Sequence, residues 1–239
     1  MKYIIAILLF LSVMTGAVQQ VYAMNTAFST ERLSEEEEEK FLANVNISVL
    51  MDEPQKRKIE CFDVKENGLV VIGTSEENRK FVGVYSEEGS FQYGYEFKCD
   101  GTFGVEWNEN NINIYFVRGD VAVTLNPMDE IESIFRIQNT EENNDYWHHH
   151  VFVTKRTVGD TTYMLKNDAG VFNLFASSYS KLVATRGDGE ETIVYDVGTS
   201  RLPEMLVKFI GVIIFILIVV LVIRKEILKL RDSSSGRES

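Results

Sequence analysis

The chain has 239 residues, with 24 Lys and Arg against 36 Asp and Glu, for a formal net charge of −12. Between residues 24 and 200 the imbalance is steeper, 16 basic side chains against 32 acidic ones. Such a surface repels phosphate backbones and anionic headgroups, which argues against nucleic-acid binding and against flat adsorption on acidic lipid. It suits a solvated, self-repelling domain or a basic partner.

Lys2 opens the chain, and an almost wholly apolar run from Tyr3 to Val13 follows. Gln19-Gln20-Val21-Tyr22-Ala23 then ends in a small-x-small-like site. This three-part pattern reads residues 1–23 as a secretory signal peptide cleaved after Ala23. An uncleaved signal anchor would leave the next segment on the same side.

Residues 24–57 read as an acidic linker with a short helix. Ser34 precedes the run Glu35 to Glu39. A serine N-cap before acidic residues suits the positive end of a helix dipole. Phe41 and Leu42 supply one apolar turn to set against the domain. Asn46-Ile47-Ser48 is a glycosylation sequon.

From 58 to 198 the pattern changes to short β-rich runs broken by Asn, Gly, Ser and Glu turns. Strands are expected at Ile59–Val64, Leu69–Gly73, Phe81–Tyr85, Phe91–Phe97, Thr102–Trp107, Ile112–Val117, Val121–Leu125 and Ile131–Ile137. Further runs follow at Val151–Thr157, Thr161–Leu165, Val171–Ala176, Lys181–Thr185 and Thr192–Val197. Such spacing predicts an all-β antiparallel domain.

An internal repeat runs through these strands. The stretch Asp63-Val-Lys-Glu-Asn-Gly-Leu-Val-Val-Ile matches Glu106-Trp-Asn-Glu-Asn-Asn-Ile-Asn-Ile-Tyr in pattern, and the turn Gly119-Asp120 recurs as Gly159-Asp160. A period of about 40 residues with four strands each resembles the blade repeats of β-propellers. The units would be 59–97, 102–137 and 146–197. Three blades fall short of the usual minimum of about four for closure. Either two chains share a ring, or the repeats form an open or sandwich-like stack. The resemblance implies binding or scaffolding and no particular chemistry.

Near the end, Phe209 to Ile223 is apolar throughout apart from Gly211. Residues 205–223 are long enough to cross about 30 Å of hydrocarbon as a helix. Arg224, Lys225, Lys229 and Arg231 follow, so 224–239 read as a basic cytoplasmic tail. The expected topology is a single-pass type I protein in a cell or secretory-pathway membrane, with the β domain outside.

Candidate chemistry is sparse. Cys61 and Cys99 are the two cysteines, and one disulfide between them is possible in an oxidising compartment, with buried thiols as the alternative. Parity places Cys61 on the same face as Ile59. In Tyr146-Trp147-His148-His149-His150, a strand would put His148 and His150 on one face, a weak metal pair that lacks a third ligand. Trp107, Tyr115 and Trp147 are candidates for a ligand-stacking surface, although aromatic residues in β domains usually fill the core. Arg118-Gly119-Asp120 and Arg186-Gly187-Asp188 match the integrin-recognition tripeptide, yet Gly-Asp is ordinary turn chemistry.

No nucleophile elbow, phosphate loop, dinucleotide fingerprint or zinc-protease helix occurs. No cofactor or catalytic residue is assigned, and an enzyme is the weaker expectation. The leading expectation is an extracytoplasmic binding or assembly module, tethered by its span, that engages a protein partner or itself. A glycan-binding or ligand-sensing ectodomain comes second, and a metal-dependent hydrolase third.

Overall fold

In the computed structural model the described residues are 28–128, 130–167, 179–198, 207, 209–221, 223 and 224. The expected signal peptide, the strand Val171–Ala176, nearly all of the tail and several positions of the 205–223 run lie outside them.

The first elements are β1 (Thr30–Arg32), α1 (Glu35–Val45) and β2 (Ser48–Leu50). Helix α1 begins where Ser34 predicts. The Ser34 hydroxyl accepts from Glu37 N–H at 3.4 Å, and Glu37 Oε2 accepts from Ser34 N–H at 3.0 Å. This reciprocal box satisfies two orphan donors of the first turn. Asn46 closes the helix in the left-handed region, with φ 48°. Residues 28–57 are more than a spacer, because β1 and β2 each join a sheet.

Three antiparallel sheets follow. The first holds β3 (Ile59–Val64), β4 (Val70–Glu76), β5 (Arg79–Tyr85) and β6 (Phe91–Lys98), with β2 added beside β6. In the second are β7 (Phe103–Asn108), β8 (Asn111–Phe116), β9 (Val121–Leu125) and β10 (Ile131–Ile137), with β1 added beside β10. The third holds β11 (Lys155–Val158), β12 (Thr161–Lys166), β13 (Lys181–Thr185) and β14 (Glu191–Asp196). Among the described residues each sheet contains an antiparallel array of four strands adjacent in chain order.

The sheets stack because their strands are apolar on the faces that meet. In the first sheet Val70 and Ile72 pack toward the third sheet, against Leu182 and Tyr195. The alternate residues Val71 and Val82 pack toward the second sheet, against Phe103, Ile114 and Val123. The first sheet is therefore a middle layer buried on both faces. Each fully buried Val, Ile or Phe contributes about 1.5–3 kcal/mol to this stack.

The described residues form no closed propeller. The reason is local. Sequence reading starts the third unit at 146 with a strand from Val151, whereas 141–151 is helical: α2 (Glu141–Tyr146) runs into a π-helical turn at Trp147–Val151. Thr140 caps α2 by accepting from Asn143 N–H at 3.2 Å. This helical segment and Phe28 cover the far face of the second sheet. That face is where the next blade of a ring would pack.

Residues 209–221 are helical. Among the described residues no helix is long and apolar enough to cross a membrane.

Candidate functional site

The first strands of the three arrays, β3, β7 and β11, bring a polar group together between sheets. Asp63 on β3 places Oδ2 2.7 Å from Trp107 N–H on β7, and its Oδ1 accepts from Val64 N–H at 2.8 Å. The Arg156 guanidinium on β11 lies 3.0 Å from Oδ1, and Arg156 also donates to the Phe62 carbonyl at 3.2 Å. One carboxylate thus ties three sheets through charge-assisted bonds.

Glu106 lies one residue from Trp107 on the opposite face of β7. Its Oε2 accepts from the Tyr115 hydroxyl at 2.7 Å, and its Oε1 accepts from the Tyr146 hydroxyl at 2.9 Å. A buried ladder leads away from it across the sheet. Asn113 donates to the Tyr115 oxygen at 3.4 Å, Thr124 donates to Asn113 Oδ1 at 2.8 Å, and Ser133 donates to Thr124 at 2.9 Å. Parity explains the ladder: Asn113, Tyr115 and Thr124 point away from the apolar face that carries Ile112, Ile114 and Val123.

Burial pushes both carboxyls above their ordinary range. For Asp63 the Arg156 charge opposes desolvation, as do the backbone N–H bonds. For Glu106 the Tyr115 hydrogen bond opposes it, while the Asp63 charge adds to it. The tyrosine hydroxyls are pushed up in turn, first by burial and then by the Glu106 charge. Two buried carboxylates with raised pKa suggest acid–base chemistry. Here their lone pairs are directed at fixed protein donors: Asp63 fastens the sheets to one another, and Glu106 fastens α2 to the second sheet.

The residues singled out in the sequence disperse across the molecule. Tyr115 is fully buried. Trp147 packs against Phe28 at 4.6 Å and Tyr115 at 5.5 Å between ring centroids, and it stacks on Phe152. Trp107 is half-buried on the opposite face of the second sheet, under the Lys65 ammonium 5.4 Å from its ring. Its indole N–H is buried with no hydrogen-bond partner among the described residues. The three aromatics therefore share no open platform.

The histidines sit on the π-helical turn and not on a strand. His150 stacks on Tyr146 with ring centroids 4.7 Å apart, and His149 Nδ1 lies 2.9 Å from the Asp145 carbonyl oxygen. Strand parity does not apply to His148 and His150. Among the described residues no group of three His, Cys, Asp or Glu side chains is placed to hold a metal ion.

Cys61 and Cys99 are buried free thiols. A register shift between Ile59 and Cys61 turns Cys61 away from the Ile59 face, so the parity expectation fails at a bulge. Pairing runs Cys61–Gly73, Gly73–Val82 and Val82–Tyr95. Cys61 thus lies three strand spacings, about 14 Å, from the strand that leads to Cys99. A disulfide needs Cα atoms within about 7 Å, so this pair is out of reach.

Of the two Arg-Gly-Asp copies, the second has its arginine engaged. Arg186 bonds Glu87 at 3.0 Å, bridging the third sheet to the first, and Glu190 at 3.1 Å. In the first copy Asp120, not Gly119, takes the left-handed conformation, with φ 50°.

Compared with known protein families and with curated proteins, the chain matches none.

Proposed function

We propose that the chain is a membrane-tethered, extracytoplasmic binding module that accepts a strand from a protein partner along β14. The observation that carries this reading is an asymmetry among the three sheets. In the first two, the fourth strand of the array is covered by a fifth, β2 on β6 and β1 on β10. In the third sheet the fourth strand, β14, pairs with β13, and no described residue pairs along its other edge. In support, the corresponding outer strands β6 and β10 each carry an added antiparallel strand.

Gly89 of the turn between β5 and β6 lies against the Ile193 and Val194 carbonyls; the N–H and C=O groups left along the rest of this edge supply affinity in strand addition. Side chains beside it supply selectivity. Ile193 on β14 is 51% exposed and Met164 on β12 is 36% exposed, and both pair with Val183 between them. The Lys166–Glu191 and Lys181–Asp196 ion pairs flank this apolar row.

The tether rests on the apolar run 205–223 with its basic flank. In support, residues 210–221 are exposed all round the helix, Ile210, Phe215, Leu217 and Leu221 among them. Such a helix suits lipid and not water.

The test is chemical cross-linking of the full-length protein in its native membrane, with Ile193→Lys as comparison. The reading predicts a discrete protein adduct that is lost in the variant while thermal stability is kept. An adduct pattern unchanged by Ile193→Lys overturns the assignment to β14.

A further inference from the structure

We infer that the groove between α1 and the ends of the first two sheets is a binding site for a small amphipathic organic anion, a carboxylate or sulfonate on an apolar body. This site is separate from the β14 edge, and neither reading depends on the other.

The groove encloses about 470 Å³, within the size range of small-molecule sites. Its floor is aromatic and aliphatic: Phe41 and Val45 come from α1, and Phe116 from the end of β8. The Phe41 and Phe116 rings meet edge to face at 4.9 Å, and Phe97 supports Phe116 from below at 5.2 Å. The floor is thus a rigid extension of the core.

The rim is cationic in an otherwise acidic protein. Lys98 comes from the end of β6, and Arg118 from the 3-10 turn Val117–Gly119 after β8. Neither forms an ion pair among the described residues, whereas Arg57, Arg79, Arg136, Arg156 and Arg186 all do. Asp100 is the acid on this rim, so the local balance is one net positive charge.

An apolar floor below a rim of one net positive charge, in a chain of net charge −12, selects by sign as well as by shape. A neutral apolar molecule gains only the floor, and an inorganic anion gains only the rim. The Arg118 guanidinium presents paired donors in the geometry that a carboxylate or sulfonate accepts.

The test uses full-length protein in lipid nanodiscs and 4-(trifluoromethyl)benzoate as probe, read by fluorine NMR against empty nanodiscs. The expected result is saturable binding weakened about tenfold or more by Lys98→Glu with Arg118→Glu. Lys155→Glu, which reverses an exposed lysine on β11, leaves it unchanged. The neutral amide of the same probe binds about tenfold more weakly than the benzoate. Thermal melting of each variant confirms that the fold is kept. The inference is overturned if binding does not saturate above the empty-disc signal. Equal binding by the double variant, an equal loss in Lys155→Glu, or equal affinity for the amide overturns it as well.

Discussion

The Arg156 guanidinium on β11 lies 3.0 Å from Asp63 on β3, and so fixes the first strand of the third sheet to the first strand of the first. Both side chains are mostly buried, at 18% and 12% exposure. Replacing Arg156 with Met leaves Asp63 with two backbone N–H partners and no counter-charge. The expected loss is about 3 kcal/mol, the low end for a broken buried pair, because both side chains keep some exposure to water. Asp63→Asn in the same chain should recover part of it. Thermal unfolding of the two single variants and the double variant measures the coupling; strictly additive losses would contradict it.

A second expectation concerns pH. Asp63 and Glu106 both have folded pKa values raised above their ordinary range, chiefly by desolvation. A raised folded pKa means that the native state holds these protons more tightly than the unfolded chain. Their contribution to stability is therefore fully present below the ordinary carboxylate range and is lost as pH rises through the raised values. Glu37 acts with the opposite sign, because Ser34 lowers its pKa through backbone and hydroxyl hydrogen bonds. The comparison must therefore be made against a variant. Asp63→Asn with Glu106→Gln should flatten the dependence of melting temperature on pH just above the ordinary carboxylate values of about 4, relative to the parent. Parallel curves would show that neither group titrates in that window.

Close approach of the first and second sheets depends on Gly73. A Cβ there would overlap Cys61 Sγ and would lie 2.8 Å from Phe103 Cζ. Gly73→Ala should cost about 1–3 kcal/mol by overpacking. Adding Cys61→Ala removes the sulfur and should restore part of the loss. Denaturant unfolding of the single and double variants checks this, and a double variant no more stable than Gly73→Ala alone would contradict it.

Much of the scaffold is legible in the residues. The strands at Ile59–Val64, Val121–Leu125, Ile131–Ile137 and Lys181–Thr185 fall where apolar runs meet turn residues. The all-β antiparallel character is there as three sheets among the described residues. Ser34 and the glutamates behind it announce α1. The failures have physical causes. Tyr146 to His150 is aromatic and polar, which suits a strand by propensity, but the Thr140 cap and the packing of Trp147 on Phe28 hold it helical. The bulge at Cys61 flips one side chain, and no local residue type marks it. The strand additions by β1 and β2 depend on pairing across about 50–100 positions, which no local pattern encodes.

The candidate sites were less legible. Trp107, Tyr115 and Trp147 are conspicuous by type, yet they serve the core and its borders. The inter-sheet carboxylate Asp63 and the carboxylate Glu106, which joins β7 to β8 and α2, occupy the same place in the repeat, at Asp63-Val-Lys-Glu-Asn and Glu106-Trp-Asn-Glu-Asn. That correspondence is the signal that could have found them. The groove residues Phe41, Lys98 and Arg118 come from three distant segments and carry no shared motif.

Helix capping gives a fourth expectation. Ser34→Ala removes one side of the reciprocal box at the start of α1 and should cost about 1 kcal/mol. It also releases Glu37, which Arg136 on β10 contacts at 2.6 Å. Hydrogen exchange should therefore rise in α1 and in β1 together; a rise confined to α1 would show that the helix and the added strand are uncoupled.

The central claim is that β14 is the edge that receives a partner. A photo-reactive amino acid placed at Ile193 in the full-length protein, in its native membrane, tests this most directly, with the same group at Glu31 on β1 as comparison. The account predicts a discrete protein adduct from position 193 and none from position 31, because β1, also an edge strand, is three residues long and a very short edge offers few backbone groups to pair. Mass spectrometry of the adduct then tells a second copy of the chain from a different protein. Equal capture from both positions, or none from position 193, would contradict the account.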